Sequence, residues 1–214
     1  MADFTIVVGT RIWSTWSMRP WIVLKHAGAD FDEVLVRLRW DGTTAEISKL
    51  SPSGLVPALV DHRFRAPLTI WDSLAICEYL AECFPERQLW PADREARAVA
   101  RSVSAEMHSG FGRMRRHMPM DLFATKAGEG LGEEGVAADI ARVQAIFEHC
   151  RANFGAGGPY LFGTFSIADA MFAPVASRFR TYAPPLSPVA ADYVGTLLAD
   201  PAFRAWEAAA RAEL

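Results

Sequence analysis

The sequence predicts an α/β domain in the first third of the chain and an all-helical domain in the rest. Up to residue 84, short apolar runs bounded by turn residues alternate with helical segments. After Pro91 this pattern stops, and long stripes of apolar residues follow at helical spacing. The chain has 214 residues, 51 % of them apolar, which is enough to bury one large core or two smaller cores that share a boundary. We therefore expect domains at residues 1–84 and 93–214, joined by a linker at residues 85–92.

Turn residues and helix-ending residues divide the first domain into elements. Gly28 follows a helical segment, at the position where glycine is favoured because it adopts left-handed backbone angles. Pro85 ends another helical segment, because proline has no backbone N–H to donate. The expected order is β-α-β, a linking stretch, and then β-β-α. The predicted strands are residues 4–8, 31–38, 58–62 and 68–71, and the predicted helices are residues 16–27 and 73–83.

Apolar stripes predict two long helices at the start of the second domain. One stripe runs over residues 96–114 and the other over residues 136–154. The segment between them, residues 127–135, is rich in glycine and glutamate and is expected to be a turn.

Capping residues and prolines predict the rest of the helical domain. Ser166 and Asp169 have the spacing of a capping box at the start of a third helix, which Pro174 is expected to bend. Three prolines between residues 184 and 188 break the chain, and a final helix starts near Pro201.

The composition disfavours several classes of protein. The net charge is −3, whereas a general nucleic-acid binder is usually basic. No stretch approaches the roughly 20 apolar residues that span a bilayer, and the first apolar run is too short for a signal peptide. Cys77, Cys83 and Cys150 are odd in number and lack metal-ligand spacing. We expect reduced thiols in a cytoplasmic protein that binds no metal, nucleic acid or membrane.

Three hydroxyl side chains follow the first strand at the start of a helix: Ser14, Thr15 and Ser17. Free backbone N–H groups and the positive end of the helix dipole favour an anion there. A hydroxyl that donates a hydrogen bond to a thiolate lowers the pKa of the thiol, because the bond favours the charged form. The alternative is that Ser14 and Ser17 simply cap the helix.

A proline enters the predicted third strand within the run Ser53-Gly54-Leu55-Val56-Pro57. Proline cannot donate to a strand ladder, so its presence there is unusual. A cis Val56–Pro57 bond would turn the Val56 backbone toward a ligand, whereas an ordinary trans proline at a sheet edge would have no such role.

Asp72 and Ser73 lie where the last strand runs into a helix. The Ser73 hydroxyl and backbone N–H can bind a carboxylate, and Asp72 can bind an ammonium group. The alternative is again helix capping.

The order and spacing of these motifs resemble the cytosolic glutathione transferases, and residues 16–21 and 106–119 resemble a bacterial subgroup of that family. Residues 14–19, Ser-Thr-Trp-Ser-Met-Arg, are similar to the Ser-Ser-Cys-Ser-x-Arg motif of the zeta class and the Ser-x-x-x-x-Arg motif of tau-like enzymes. Residues 53–59 match the loop before the family's cis-proline, and residues 72–80 match its glutathione motif. Residues 163–169 match a folding motif of the helical domain, so the resemblance spans nearly the whole chain.

The resemblance implies a thioredoxin-like first domain, a homodimer, and glutathione as co-substrate. Ser14 would donate a hydrogen bond to the glutathione sulfur, with Thr15 and Ser17 as alternatives. Arg19 would anchor the first helix. The remaining residues of the implied glutathione site are Ser17, Leu55, Val56, Pro57, Asp72 and Ser73, with the Val56 backbone on the cysteinyl part and Asp72 and Ser73 on the γ-glutamyl end.

Three departures from the family pattern alter the implied site. Trp16 replaces the zeta-class cysteine, and Leu55 replaces a residue that is often polar or basic. Asp72 is one methylene shorter than the usual glutamate. The glycyl carboxylate of glutathione is therefore left without an obvious partner.

The electrophile pocket is expected between the two domains. Met107 and Met114 lie on an apolar stripe, so burial in the core is the alternative for them. A basic cluster at residues 113–117 could attract a carboxylate, or could be an ordinary solvated helix face. The candidates for the pocket are Ile12, Trp13, Met107, Phe111, Met114 and His117.

The sequence thus predicts a detoxifying glutathione transferase that activates the glutathione thiolate for attack on a small, largely apolar electrophile. Two alternatives stay open. One is a glutathione-dependent cis–trans isomerase of the maleylacetoacetate type. The other is a non-catalytic binding or scaffold protein that keeps the fold.

Overall fold

The computed structural model describes residues 2–214, and the first part of the chain forms a four-stranded mixed sheet flanked by helices. The strand order is β2-β1-β3-β4, in which β1 and β2 are parallel and the other neighbours are antiparallel. The order β-α-β followed by β-β-α is confirmed. The strands are β1 (Phe4–Gly9), β2 (Phe31–Val36), β3 (Ala58–Asp61) and β4 (Leu68–Trp71), and the helices are α1 (Thr15–Ala27), α2 (Thr43–Leu50) and α3 (Ser73–Cys83).

Strand β1 packs against the protein interior on both of its faces. Phe4, Ile6 and Val8 on one face of β1 belong to the large core that includes α1 and α3. Val7, on the opposite face, packs in a small cluster with Ile47 of α2. Alternation along β1 therefore decides which helices cover each face, since successive side chains of a strand point to opposite sides.

Helix α2 lies in the linking stretch, where no element is predicted from the sequence. Ile47 is its only buried residue, so the helix carries no apolar stripe for a pattern to detect.

The second part of the chain is helical, as predicted. None of the helices within residues 2–214 is long and apolar enough to cross a membrane. The elements are α4 (Arg94–Ser109), α5 (Gly112–His117), α6 (Val136–Phe154), α7 (Ile167–Tyr182), α8 (Pro188–Ala199) and α9 (Pro201–Arg211).

Two expectations for this part need correction. The stripe at residues 96–114 belongs to two helices, because Phe111 has a left-handed φ of 58° that breaks the helix between α4 and α5. Pro188 does not interrupt the chain. It begins α8, at a first-turn position that suits proline because no intrahelical hydrogen bond is lost there, and the Ser187 hydroxyl caps the helix at Ala190.

Helix α7 is the centre of the helical part. All of its residues except Arg180 are buried, and it packs against α1, α4 and α8. The predicted pair of Ser166 and Asp169 forms at its N-terminus. Contact between α1 and α7 joins the sheet part of the chain to the helical part.

Asp61, at the end of β3, is a fully buried carboxylate with strong hydrogen-bond donors around it. It accepts hydrogen bonds from the Arg63 guanidinium (2.6 Å), from the Arg63 backbone N–H (2.9 Å) and from the Tyr79 hydroxyl (2.6 Å). The Arg63 hydrogen bond is the main cause that lowers the pKa of Asp61 to about 2.

We expect Asp61 to contribute to stability above pH ~4, the ordinary pKa of an unfolded aspartate, and to lose that contribution as the pH falls toward 2. The sign follows because the folded-state pKa is the lower one. The difference in unfolding free energy between the wild type and Asp61→Asn, measured in urea at several pH values, should shrink over this range. Asp32→Asn, at an exposed position of β2, is the control and should show no such trend. A difference that does not depend on pH would contradict the expectation.

Candidate functional site

A cavity of about 530 Å³ lies where the loop before β3, the N-terminus of α3 and the end of α4 meet. Five of the predicted glutathione-binding residues share this cavity, which we call the cleft. Its lining residues are Trp16, Ser53, Leu55, Val56, Pro57, Trp71, Asp72, Ser73 and His108.

The loop before β3 forms one wall of the cleft. The Val56–Pro57 peptide bond is cis, which confirms that expectation. Val56 precedes β3 and lies outside the strand ladder, and its backbone makes no hydrogen bond to another residue within the described part of the chain. Leu55 is 68 % exposed. The Val56 N–H and C=O are therefore available to an extended peptide, in the manner of an added strand.

The two carboxylate oxygens of Asp72 have different neighbours. Oδ1 accepts hydrogen bonds from the Leu74 and Ala75 N–H groups at 2.9 and 3.1 Å, so the residue caps α3. Oδ2 lies 3.1 Å from Nε2 of His108. Oδ2 thus takes no part in capping the helix.

Ser73 supplies a hydroxyl without a partner. Its Oγ is buried and makes no hydrogen bond within residues 2–214. An unsatisfied buried hydroxyl carries a free-energy cost that a ligand acceptor would remove.

Ser14 occupies the N-cap position of α1, but its side chain does not cap the helix. The Ser14 hydroxyl donates to Oγ of Ser17 at 2.7 Å, and Ser17 Oγ also accepts the Gly9 N–H at 3.2 Å. Ser14 and Thr15 are buried at 5 % and 7 % exposure, and Ser17 at 0 %. Of this helical turn, Trp16 is the residue that lines the cleft in the described structure.

The predicted electrophile-pocket residues do not share one cavity. Ile12 and Trp13 line a second cavity of about 660 Å³, beside Arg37 and Arg39 of the segment after β2. The Arg39 guanidinium lies 4.3 Å from the centre of the Trp13 ring.

The pocket candidates from the helical part lie elsewhere. Met107 and Met114 are 0 % exposed and belong to the core, because the apolar stripe on which they lie faces the helix packing. Phe111 is buried in the same core, and the His117 ring lies 3.8 Å from Glu133. The structure therefore places both methionines outside the cleft.

His108 is a cleft residue that the sequence motifs do not identify. It lies in the last turn of α4, one residue beyond the stripe position Met107, and its ring packs edge-on against Trp16 with 5.3 Å between centroids. Its Nδ1 is buried and has no hydrogen-bond partner within residues 2–214. One signal in the sequence could have identified it. His108 directly follows Met107, and because a helix turns by about 100° per residue, its side chain lies at the edge of the apolar stripe of α4.

The basic cluster after α4 divides into two groups. Arg113 and Arg116 are exposed, as on a solvated helix face. Arg115 turns inward, with its guanidinium 5.5 Å from the centre of the Trp16 ring, and burial lowers its pKa. A group of His, Cys, Asp or Glu side chains that could hold a metal ion is not found in the part of the chain that the structure describes.

Two sequence-family models match the chain. The model "Glutathione S-transferase, N-terminal domain" matches residues 13–83, and "Glutathione S-transferase, C-terminal domain" matches residues 133–209. The first match includes every cleft residue except His108, and the second covers most of the helical part.

Curated relatives include zeta-class proteins. Maleylacetoacetate isomerase of Rattus norvegicus is 28 % identical over 179 residues, which cover 82 % of this chain and 78 % of the rat protein. Glutathione S-transferase Z2 of Arabidopsis thaliana is 34 % identical over 118 residues, covering 53 % of this chain. That alignment spans only 50 % of the Arabidopsis protein's length.

Solved structures are similar over nearly the whole chain. A glutathione transferase homologue from Burkholderia GL BGR1, with bound glutathione, has a TM-score of 0.72 and 26 % identity, and 97 % of each chain is covered. A glutathione transferase from Methylococcus capsulatus has a TM-score of 0.69 at 24 % identity, with 97 % of this chain and 98 % of that chain covered, which shows a shared fold.

Proposed function

Because the chain belongs to the glutathione S-transferase family, with both family domains matched, we propose that it is an enzyme that transfers glutathione to small, largely apolar electrophiles. The observation that carries this proposal is the cleft itself. It combines an unpaired backbone at Val56 with the polar N-terminus of α3 at Asp72 and Ser73. The similar Burkholderia protein holds glutathione in its solved structure.

The γ-glutamyl end of glutathione suits the N-terminus of α3. The ammonium group would meet Oδ2 of Asp72, which is the oxygen that does not cap the helix. The carboxylate would accept a hydrogen bond from the Ser73 hydroxyl and benefit from the positive end of the helix dipole. The cysteinyl part would pair with the Val56 backbone.

Ser14 is the hydroxyl that we assign to the sulfur. Ser17 is fully buried and already accepts two hydrogen bonds, one of them from Ser14. The Ser14 O–H would turn from Ser17 to the sulfur when glutathione binds, and Ser17 would hold Ser14 in position. Thr15 stays the alternative.

The proposed reaction begins with loss of the thiol proton to solvent. The thiolate electron pair then forms the carbon–sulfur bond, and the leaving group departs with the electrons of the bond that breaks. The protein contributes mainly by positioning the thiolate and stabilising its charge.

The second candidate is the cis–trans isomerase, in which glutathione adds to a double bond and leaves after the bond has rotated. The rat relative carries that name, and residues 14–19 resemble the zeta motif. Trp16 replaces the zeta cysteine and weakens this candidate. Consumption of glutathione separates the two, because the isomerase regenerates it.

Several companion proposals follow from the family. We propose a homodimer, which the exposed apolar side chains Phe64 (53 %) and Leu68 (42 %) support.

Three free cysteines support a cytoplasmic location. The domain limits at residues 1–84 and 93–214 are proposed on the gap between α3 and α4.

Calorimetry with glutathione and a rate assay with a chromogenic electrophile test the proposed function. Binding together with thioether formation is the expected result. Absence of binding at millimolar glutathione would favour a scaffold protein and overturn the proposal.

Ser73→Ala is expected to weaken glutathione binding about tenfold or more without destabilising the free protein. The hydroxyl makes no hydrogen bond in the free structure, so its removal costs nothing there, whereas a bond to a charged carboxylate contributes about 1.5–3 kcal/mol. Calorimetry measures the binding, and urea unfolding measures the stability. Ser102→Ala, at an exposed position of α4 outside the cleft, is the control and should leave glutathione binding unchanged. Loss of stability with unchanged binding would show that Ser73 is only structural.

A further inference from the structure

Arg19 of α1 is a buried cation without a counter-ion. Its side chain is 0 % exposed, and its three guanidinium nitrogens have no hydrogen-bond partner within residues 2–214. Burial, followed by repulsion from Arg178 and Arg115, lowers the pKa of Arg19 to about 9. An unpaired buried charge is costly, and such groups are concentrated at functional sites.

The surroundings of Arg19 add positive charge. Arg178 of α7 is also buried and donates to the Met118 carbonyl at 2.8 Å, and Arg115 of α5 donates to the Met107 carbonyl at 3.3 Å. Neither is paired with a carboxylate among the ion pairs of residues 2–214.

Two acidic groups of α3 also act on Arg19. Cys77 is fully buried, and burial raises the pKa of its thiol, so it stays neutral. The carboxylate that attracts Arg19 is Asp72, which lies in the wall of the cleft.

Trp16 is the layer between this charge and the cleft. Its indole lines the cleft, and the Arg19 guanidinium lies 4.3 Å from the ring centre on the buried side. Arg115 lies 5.5 Å from the same ring, and His108 packs on it edge-on. Because Arg19 is excluded from water, its field is screened less than that of a surface charge.

We propose that Arg19 is an electrostatic positioning residue whose buried charge, acting across Trp16, stabilises the thiolate of bound glutathione over the thiol. This inference rests on the proposed function and deepens it. Asp72 Oδ2 lies 3.1 Å from Nε2 of His108 and, on binding, would also meet the γ-glutamyl ammonium, so Asp72 has partners of its own in the cleft. The only chemical step is ionisation of the S–H bond, in which the electron pair stays on sulfur and the proton leaves to solvent.

The test is a pH titration of the thiolate absorbance of bound glutathione in wild type, Arg19→Met and Arg19→Lys. Removal of the charge should raise the pKa of the bound thiol by about one unit, so that about tenfold less thiolate is present below that pKa. Arg19→Lys should lie between the wild type and Arg19→Met, because a lysine has a lower ordinary pKa than arginine and burial lowers it further. Binding of S-methylglutathione, which has no ionisable thiol, should be nearly equal in all three proteins.

Two outcomes would overturn the inference. One is an unchanged thiol pKa in folded Arg19→Met. The other is an equal shift in Arg19→Met and in Arg116→Met, at an exposed position of α5, which would mean that the shift does not come from the buried charge.

If Arg19→Met does not fold, a second pair of variants tests the inference. Arg115→Met should shift the thiol pKa in the same direction by a smaller amount, and Arg116→Met, at an exposed position of the same helix, should not shift it. No shift in Arg115→Met would then overturn the inference. If wild-type protein fails to bind glutathione, the proposed function fails as well. If it binds and only the charge dependence is missing, the proposed function stands.

Discussion

Replacement of Asp169 by alanine is expected to lower the free energy of unfolding by about 3–5 kcal/mol. The carboxylate is fully buried and accepts four hydrogen bonds at the N-terminus of α7. They come from the Leu161 N–H (3.0 Å), the Ser166 N–H (2.8 Å), the Ser166 hydroxyl (3.0 Å) and the Tyr193 hydroxyl (2.8 Å). Alanine leaves all four donors without an acceptor in the interior.

Urea unfolding followed by tryptophan fluorescence measures this loss. Asp169→Asn should fall between the wild type and Asp169→Ala, since an amide offers one oxygen and turns a donor toward its neighbours. Asp192→Ala, on the exposed face of α8, is the control and should change stability by less than about 0.5 kcal/mol. Equal losses in Asp169→Ala and Asp192→Ala would refute the role given to Asp169.

Ser14→Ala is expected to lower kcat/KM for thioether formation about 10–100-fold near neutral pH. A hydrogen bond to a charged group contributes about 1.5–3 kcal/mol, and its loss raises the pKa of the thiol by about one to two units. The activity profile should therefore move to higher pH, and the rate should recover in part in alkaline solution. The measurement is the pH profile with a chromogenic electrophile.

The neighbouring hydroxyls are the controls for Ser14. Ser17→Ala should have a smaller effect, because Ser17 holds Ser14 through the 2.7 Å hydrogen bond and would not itself meet the sulfur. Thr15→Val should leave the profile unchanged. If Thr15→Val lowers kcat/KM and Ser14→Ala does not, Thr15 is the residue that activates the thiol.

The sequence predicts those parts of the fold that have a local pattern. The four strands and the stripes of the long helices are visible because many residues repeat one period. Helix α2 is missed because Ile47 is its one buried residue, and α8 is missed because Pro188 resembles a break although it starts a helix. For α2, tertiary packing that no local period records decides the structure. For α8 a local stripe exists, at Ala190, Tyr193, Val194 and Leu197, but it begins directly after the proline.

The same distinction applies to the site. The Val56–Pro57 loop and the Asp72–Ser73 pair are predicted because each is a short motif at the end of an element. His108 and Arg19 are different, because their importance comes from what the fold packs around them. Most of α1 is buried between the sheet and α7, so a helix-wheel pattern cannot show that Arg19 is enclosed.

The divided carboxylate of Asp72 has a consequence for how this protein can change. Under the proposed function, a residue without a capping oxygen at position 72 would weaken recognition of the γ-glutamyl group and also remove the cap of α3, so affinity and stability would fall together. Leu55 is exposed at the rim and supports no helix. If the proposed site is correct, substitutions at position 55 would alter ligand binding at lower cost to stability than substitutions at position 72.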